Sequence, residues 1–325
     1  MKKLLLMALL ACSLIARGQE PIISDTTEQE EETVFLPLIY ADRKLTYLTF
    51  FQGLGNLDPL ITEARFSGSY FLKKSARNWA LELNLNLTLR IHDDYSFPIY
   101  TPSYNPVFTY YREMPKWDNS FLSKVLFDHA YWEVSAGHHS NGQNDPFYKE
   151  DSLGNATDQI DLKAGNFSVE YLEAGISTFK NRKRDDIDFI SNLKLAFRFY
   201  PTKWYLPEIN ELYGVYRLFG TYNIYRIPFG KRKDNFFSRS RFRMHAGWIF
   251  GNMGGNSPAD ISKRLITEVT YFYYPEWLAE VSFFAKYYHG QDYYNVNFRH
   301  TLDVFQIGIA SNPLNFKDFS RYLKK

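Results

Sequence analysis

The chain of 325 residues has a single cysteine, Cys12, near its start, so no internal disulfide framework is available to it. It also has no apolar run beyond the leader that approaches the 18 or so residues a spanning helix needs. A chain of this kind crosses a bilayer only as a closed β-barrel. Neither sign of charge is in large excess: 38 Lys and Arg stand against 36 Asp and Glu, for a net charge of +2. That balance gives no argument for a nucleic-acid partner. Internal repeats and domain linkers are absent as well. The glycine-rich stretch Gly251-Asn252-Met253-Gly254-Gly255 lacks the following Lys-Ser/Thr of a phosphate loop and reads as a plain loop.

The abundant residues are aromatic. There are 28 Phe, 25 Tyr and 6 Trp, 18% of the chain, yet mean hydropathy is only −0.38. Strands with one face in lipid and the other in a polar lumen average out in this way. Residues 79–92 alternate most clearly: Leu81, Leu83, Leu85, Leu87 and Leu89 on one face, Glu82, Asn84, Asn86, Thr88 and Arg90 on the other. The pattern predicts about twelve strands, near 41–51, 63–74, 79–92, 105–113, 124–140, 166–179, 187–200, 211–224, 239–250, 263–275, 277–289 and 300–312. The expected fold is all-β, a transmembrane antiparallel up-and-down β-barrel.

Residues 1–18 read as a signal peptide, with basic Lys2-Lys3, an apolar stretch and Ala16-Arg17-Gly18 as the cleavage site. Leu9-Leu10-Ala11-Cys12 offers a lipoprotein alternative. Residues 19–40, with Glu28, Glu30, Glu31 and Glu32, are expected to form a periplasmic arm, and residues 41–325 the barrel.

One motif carries chemistry: His138-His139-Ser140-Asn141-Gly142, followed by Gln143-Asn144-Asp145-Pro146. Residues two apart on a strand share a face, so His138 and Ser140 stand side by side. An imidazole placed there takes the serine proton and makes the hydroxyl a nucleophile. Asn141-Gly142 supports a sharp turn, and the Gly142 N–H is a candidate oxyanion donor. Trp132, Val134 and Ala136 share the face of His138 and Ser140, which puts the pair on the lipid side, at the outer rim. His138 and His139 face opposite ways and chelate one metal poorly.

With this motif, the sequence resembles the outer-membrane phospholipase A family, twelve-stranded barrel enzymes of Gram-negative bacteria. Ser103-Tyr104-Asn105-Pro106 is similar to the family's strand opening before the histidine. Tyr287-Tyr288-His289-Gly290-Gln291-Asp292-Tyr293-Tyr294-Asn295 is similar to a degenerate form of a later strand and loop. The resemblance implies a phospholipid acyl hydrolase with Ser140 as nucleophile, His138 as base and an asparagine orienting the histidine. The family's run around that asparagine is missing. Asn166 is the expected equivalent and Asn155 the alternative. The resemblance also implies a calcium cofactor, held by the Gln143 carbonyl, Ser152 and, from a partner subunit, Ser96, in an enzyme active as a homodimer. The competing reading is a non-catalytic barrel, a pore or structural protein.

Overall fold

The computed structural model describes residues 35–50, 54–55, 59–75, 78–115, 127–184, 187–204, 206–229, 235–278 and 281–311. Residues 1–18, expected to be a signal peptide, and the acidic stretch up to Glu32 lie outside them.

Twelve antiparallel strands close on themselves. In chain order they are β1 (Tyr47–Thr49), β2 (Leu60–Lys74), β3 (Trp79–His92), β4 (Ser103–Glu113), β5 (His129–Ser140), β8 (Ser168–Arg184), β9 (Ile187–Phe199), β10 (Tyr216–Tyr225), β11 (Ser240–Phe250), β12 (Leu265–Tyr273), β13 (Val281–Gln291) and β14 (Thr301–Ser311). Each pairs with its chain neighbour in the barrel, and β1 pairs with β14 to close it, Tyr47 opposite Ala310. Between β5 and β8 a small hairpin, β6 (Tyr148–Glu150) and β7 (Ala156–Ile160), stands apart from the barrel. The expected all-β up-and-down barrel is therefore the observed fold.

Alternation explains the two surfaces. On β3 the leucines face outward while Glu82, Asn86, Thr88 and Arg90 are buried inside. Phe108, Trp132, Val134, Ile176, Leu195 and Phe197 continue the apolar exterior. Aromatic pairs lie toward both ends of that exterior: Trp79, Tyr110 and Trp132 near one, Phe199 and Tyr216 near the other. Such girdles mark the interfacial levels of a membrane barrel.

The interior is polar and charged and encloses a cavity of about 350 Å³, lined by residues such as Arg65, Arg198, Arg241 and Lys286. Several of its charges are paired, which lowers the cost of burying them. Arg90 binds Glu63 at 2.9 Å and grips Asp292 with two hydrogen bonds of 2.8 and 2.9 Å. Lys194 reaches Glu133 at 2.5 Å and Asp42 at 3.3 Å, and Arg198 holds Glu173. Near one end lies a helix that the sequence reading missed. This helix, α1 (Phe35–Asp42), buries Phe35, Leu38, Ile39 and Ala41, the spacing of one helical face. They pack on Ala80, Tyr131, Phe179, Ile190 and Tyr225 of the wall. Residues 35–40, expected in the arm, thus belong to the barrel's core, and the strand expected at 41–51 shrinks to β1. At the other end, Phe147, Phe167, Tyr200, Tyr213 and Phe298 form an aromatic cluster. A short helix, α2 (Ile261–Arg264), precedes β12.

Candidate active site

β5 places its side chains as the alternation requires. Tyr131, Glu133, Ser135, Gly137 and His139 face the interior. Trp132, Val134, Ala136, His138 and Ser140 face outward, and the strand ends at Ser140, at the loop end of the barrel. His139 is an interior residue: its Nε2 lies 2.8 Å from Ser103 Oγ and its ring packs edge-on against Phe167. The two adjacent histidines therefore serve different surfaces, and no metal-like cluster of His, Cys, Asp or Glu occurs among the described residues.

The turn after Ser140 is built by Asn141. Its buried side chain accepts the N–H of Phe167 at 3.0 Å and of Gln143 at 3.2 Å, and donates to the Gly165 carbonyl at 2.7 Å. This amide ties the end of β5 to the start of β8. Gly142 has φ +68°, a left-handed conformation that glycine adopts without strain. A Cβ there would sit 3.4 Å from the Tyr104 ring, which covers the turn from β4. Tyr104 is also the partner of Ser140 across the β4–β5 ladder. The site is thus flanked by β4 on one side and β8 on the other.

On the β8 side the ladder sets Ser168 opposite Ser140 and Glu170 opposite His138. Ser168, Glu170, Leu172, Ala174 and Ile176 share the outward face. His138 Nδ1 lies 3.3 Å from Glu170 Oε1, with the two side chains 24% and 26% exposed. Glu170 Oε2 is buried and has no hydrogen-bond partner. Nδ1–H donated to the carboxylate leaves Nε2 free to act as a base. Among the described residues, Ser140 Oγ makes no hydrogen bond to the ring. Catalytic hydrogen bonds of this kind commonly tighten only around substrate.

The two asparagines lie elsewhere. Asn166 precedes β8, and its backbone N–H donates to the Asp145 carbonyl at 3.0 Å. Continued by the same register, the ladder sets Asn166 at the level of Gly142 rather than His138. Asn155 is exposed in the turn of the β6–β7 hairpin, where its side chain binds Asp151. The structure brings Glu170, and neither asparagine, to His138. The signal for this was in the sequence as a glutamate interrupting an outward apolar face.

Of the residues implied for calcium, Gln143 adjoins the site, its N–H committed to Asn141. Ser152 is exposed in the hairpin turn, and Ser96, at φ +65°, belongs to the separate turn between β3 and β4. The three sit on different segments of the chain, the turn after β5, the β6–β7 hairpin and the β3–β4 turn.

A closed twelve-stranded barrel with an apolar belt and aromatic girdles is the architecture of an outer-membrane β-barrel protein. Among solved structures it has the fold of outer membrane phospholipase A. The Escherichia coli protein superposes with a TM-score of 0.51 at 13% identity, over 83% of this chain and 90% of that one. An active-site mutant of the same protein gives 0.51 and 13%, over 88% and 99%. The Salmonella typhi outer membrane phospholipase dimer with bound calcium gives 0.49 and 12%, over 83% and 90%. No family model and no curated protein matches the chain. At these identities the likeness is one of fold.

Proposed function

We propose that the chain is an outer-membrane phospholipase of a Gram-negative bacterium that cleaves acyl esters of phospholipids with Ser140 and His138. The observation that carries this reading is a serine and a histidine side by side on the outward face, at the rim where a lipid ester would lie. Ser140 Oγ attacks the ester carbonyl carbon while His138 Nε2 takes its proton. The tetrahedral oxyanion is held by the backbone N–H of Gly142. Collapse breaks the ester C–O bond, and His138 returns the proton to the departing lysophospholipid oxygen. Water then attacks the acyl carbon as His138 takes its proton; the bond to Ser140 Oγ breaks, His138 returns the proton to Oγ, and the fatty acid leaves.

The packing of α1 against the wall near one end of the barrel, and of the aromatic cluster at the other, supports this reading over a wide pore. Residues 1–18 act in it as the export signal. Calcium and a second subunit belong to the proposal as requirements to test. The steps above are carried by Ser140, His138 and the turn that follows them. The test is fatty-acid release from phospholipid–detergent micelles by refolded protein, with calcium or chelator, and with cross-linking to report dimers. Ser140→Ala is expected to abolish release while keeping the heat-modifiable gel mobility of a folded barrel. A fully active Ser140→Ala protein would overturn the reading.

A further inference from the structure

We propose that Glu170 is the positioning residue of this site: its carboxylate orients His138 and steadies the imidazolium that forms as Ser140 reacts. This inference rests on the hydrolase reading above and replaces the expected asparagine with a charged group.

An ionised side chain on the lipid-facing surface of a barrel is destabilising. Glu170 stands there in a row with Leu172, Ala174 and Ile176. A carboxylate that only stabilised the barrel would have both oxygens satisfied, yet Oε2 is buried without a partner. Residues kept at such cost within a membrane surface are read first as functional, with their partner named. Here the partner is His138, at 3.3 Å and directly across the ladder.

The chemistry follows from which nitrogen is engaged. Nδ1–H donates to Glu170 Oε1, so the ring is held in the tautomer whose Nε2 carries a lone pair. When Ser140 attacks, its O–H bond breaks and the proton passes to Nε2. The imidazolium then lies against a negative charge, while the glutamate stays ionised and takes no proton. A neutral amide would supply the direction without the charge. The apolar surroundings strengthen that difference, because charge interactions are weakly screened there.

Two variants separate the effects. Glu170→Ala removes both acceptor and charge, and is expected to lower kcat by roughly 10³–10⁴-fold with KM little changed. Glu170→Gln keeps a neutral acceptor, so it is expected to fall between Glu170→Ala and wild type. Nitrogen-15 spectra of histidine-labelled protein give a readout independent of turnover. Wild type and Glu170→Gln should show His138 protonated at Nδ1, and Glu170→Ala a mixture of tautomers. Wild-type kcat in Glu170→Ala, beside an inactive Ser140→Ala, would overturn the role of Glu170 and leave the serine mechanism standing. An inactive wild type, or an active Ser140→Ala, would bring down the hydrolase reading and this inference with it. Should Glu170→Ala fail to give a heat-modifiable barrel, the isosteric Glu170→Gln decides, and an unchanged kcat there counts against the proposal.

Discussion

Gly137→Ala adds one methyl group to the interior face of β5, next to His138. Gly137 is paired with Tyr171 across the β5–β8 ladder, and the tyrosine ring lies over the bare backbone. An added Cβ would stand 2.5 Å from Tyr171 Cε1 and closer still to Cζ and Oη. Carbon atoms in contact prefer about 3.5–4.0 Å, so the ring must retreat by about 1 Å or more. The ring is not free to go. Its hydroxyl donates to Asn105 at 3.0 Å, and the Arg198 guanidinium stacks 4.1 Å from its centre. Overpacking of this kind costs about 1–3 kcal/mol, and losing the buried hydrogen bond adds about 1 kcal/mol. The expected destabilisation is roughly 2–4 kcal/mol. It would be read as a lowered guanidinium midpoint for unfolding from lipid vesicles. Fatty-acid release should fall with it, because Glu170 adjoins Tyr171 on β8. The decisive arm is a double-mutant cycle. In a Tyr171→Ala background the methyl enters vacated space, so Gly137→Ala should cost nothing or become slightly favourable. Equal costs in both backgrounds would refute the argument that the glycine exists to admit the ring.

Two further outcomes follow from the ion pairs. Arg90→Met would leave the Glu63 and Asp292 carboxylates buried with no cation between them. A loss of about 3–5 kcal/mol is expected in the same unfolding assay, and replacing all three residues by apolar ones should recover most of it. In the β6–β7 hairpin, Asp151 accepts N–H groups from Asn155, Leu153 and Gly154, which hold its carboxyl below the ordinary aspartate range. With the folded value depressed, the turn is favoured above about pH 4 and loosens as pH falls through the lowered value. Amide exchange at Leu153 and Asn155 across that interval would report it. Asn155→Ala should loosen the turn and leave hydrolysis unchanged, and a collapse of activity would return Asn155 to the catalytic group.

Much of the barrel was legible because its signal repeats every two residues. The leucine face of β3 and the outward row of β5 needed only the alternation of a strand, and both are where the pattern put them. The boundaries of β3 agree to the residue. What escaped was structure without that period. In α1, Phe35, Leu38 and Ile39 carry a helical spacing over only two turns, beside an acidic stretch that reads as an arm. The shortness of β1 is likewise a matter of how the barrel closes on β14, which no local pattern encodes. At the site, alternation put His138, Ser140 and Glu170 on outward faces, and Glu170 looked misplaced there until its partner across the ladder was known.

That partner depends on register, and a period of two is blind to it. Sliding β8 by two or four residues along β5 keeps every side chain on its face, so the choice between Glu170 and Asn166 cannot be made from alternation alone. Two features of the interior make it. Asn141 binds the N–H of Phe167 and the carbonyl of Gly165, fixing where β8 begins. Gly137 then accepts the ring of Tyr171. A slip of four residues would bring Asn166 to His138, but it would set Tyr171 against Glu133, which has a side chain where Gly137 has none. A slip of two would set the ring against Ser135. The one glycine on this inward face therefore selects the register, and with it the carboxylate that meets His138 on the outside. The Gly137→Ala cycle consequently probes the site as well as the core: if register is held in this way, the double mutant that recovers stability should still lose activity, having given up the fit that places Glu170.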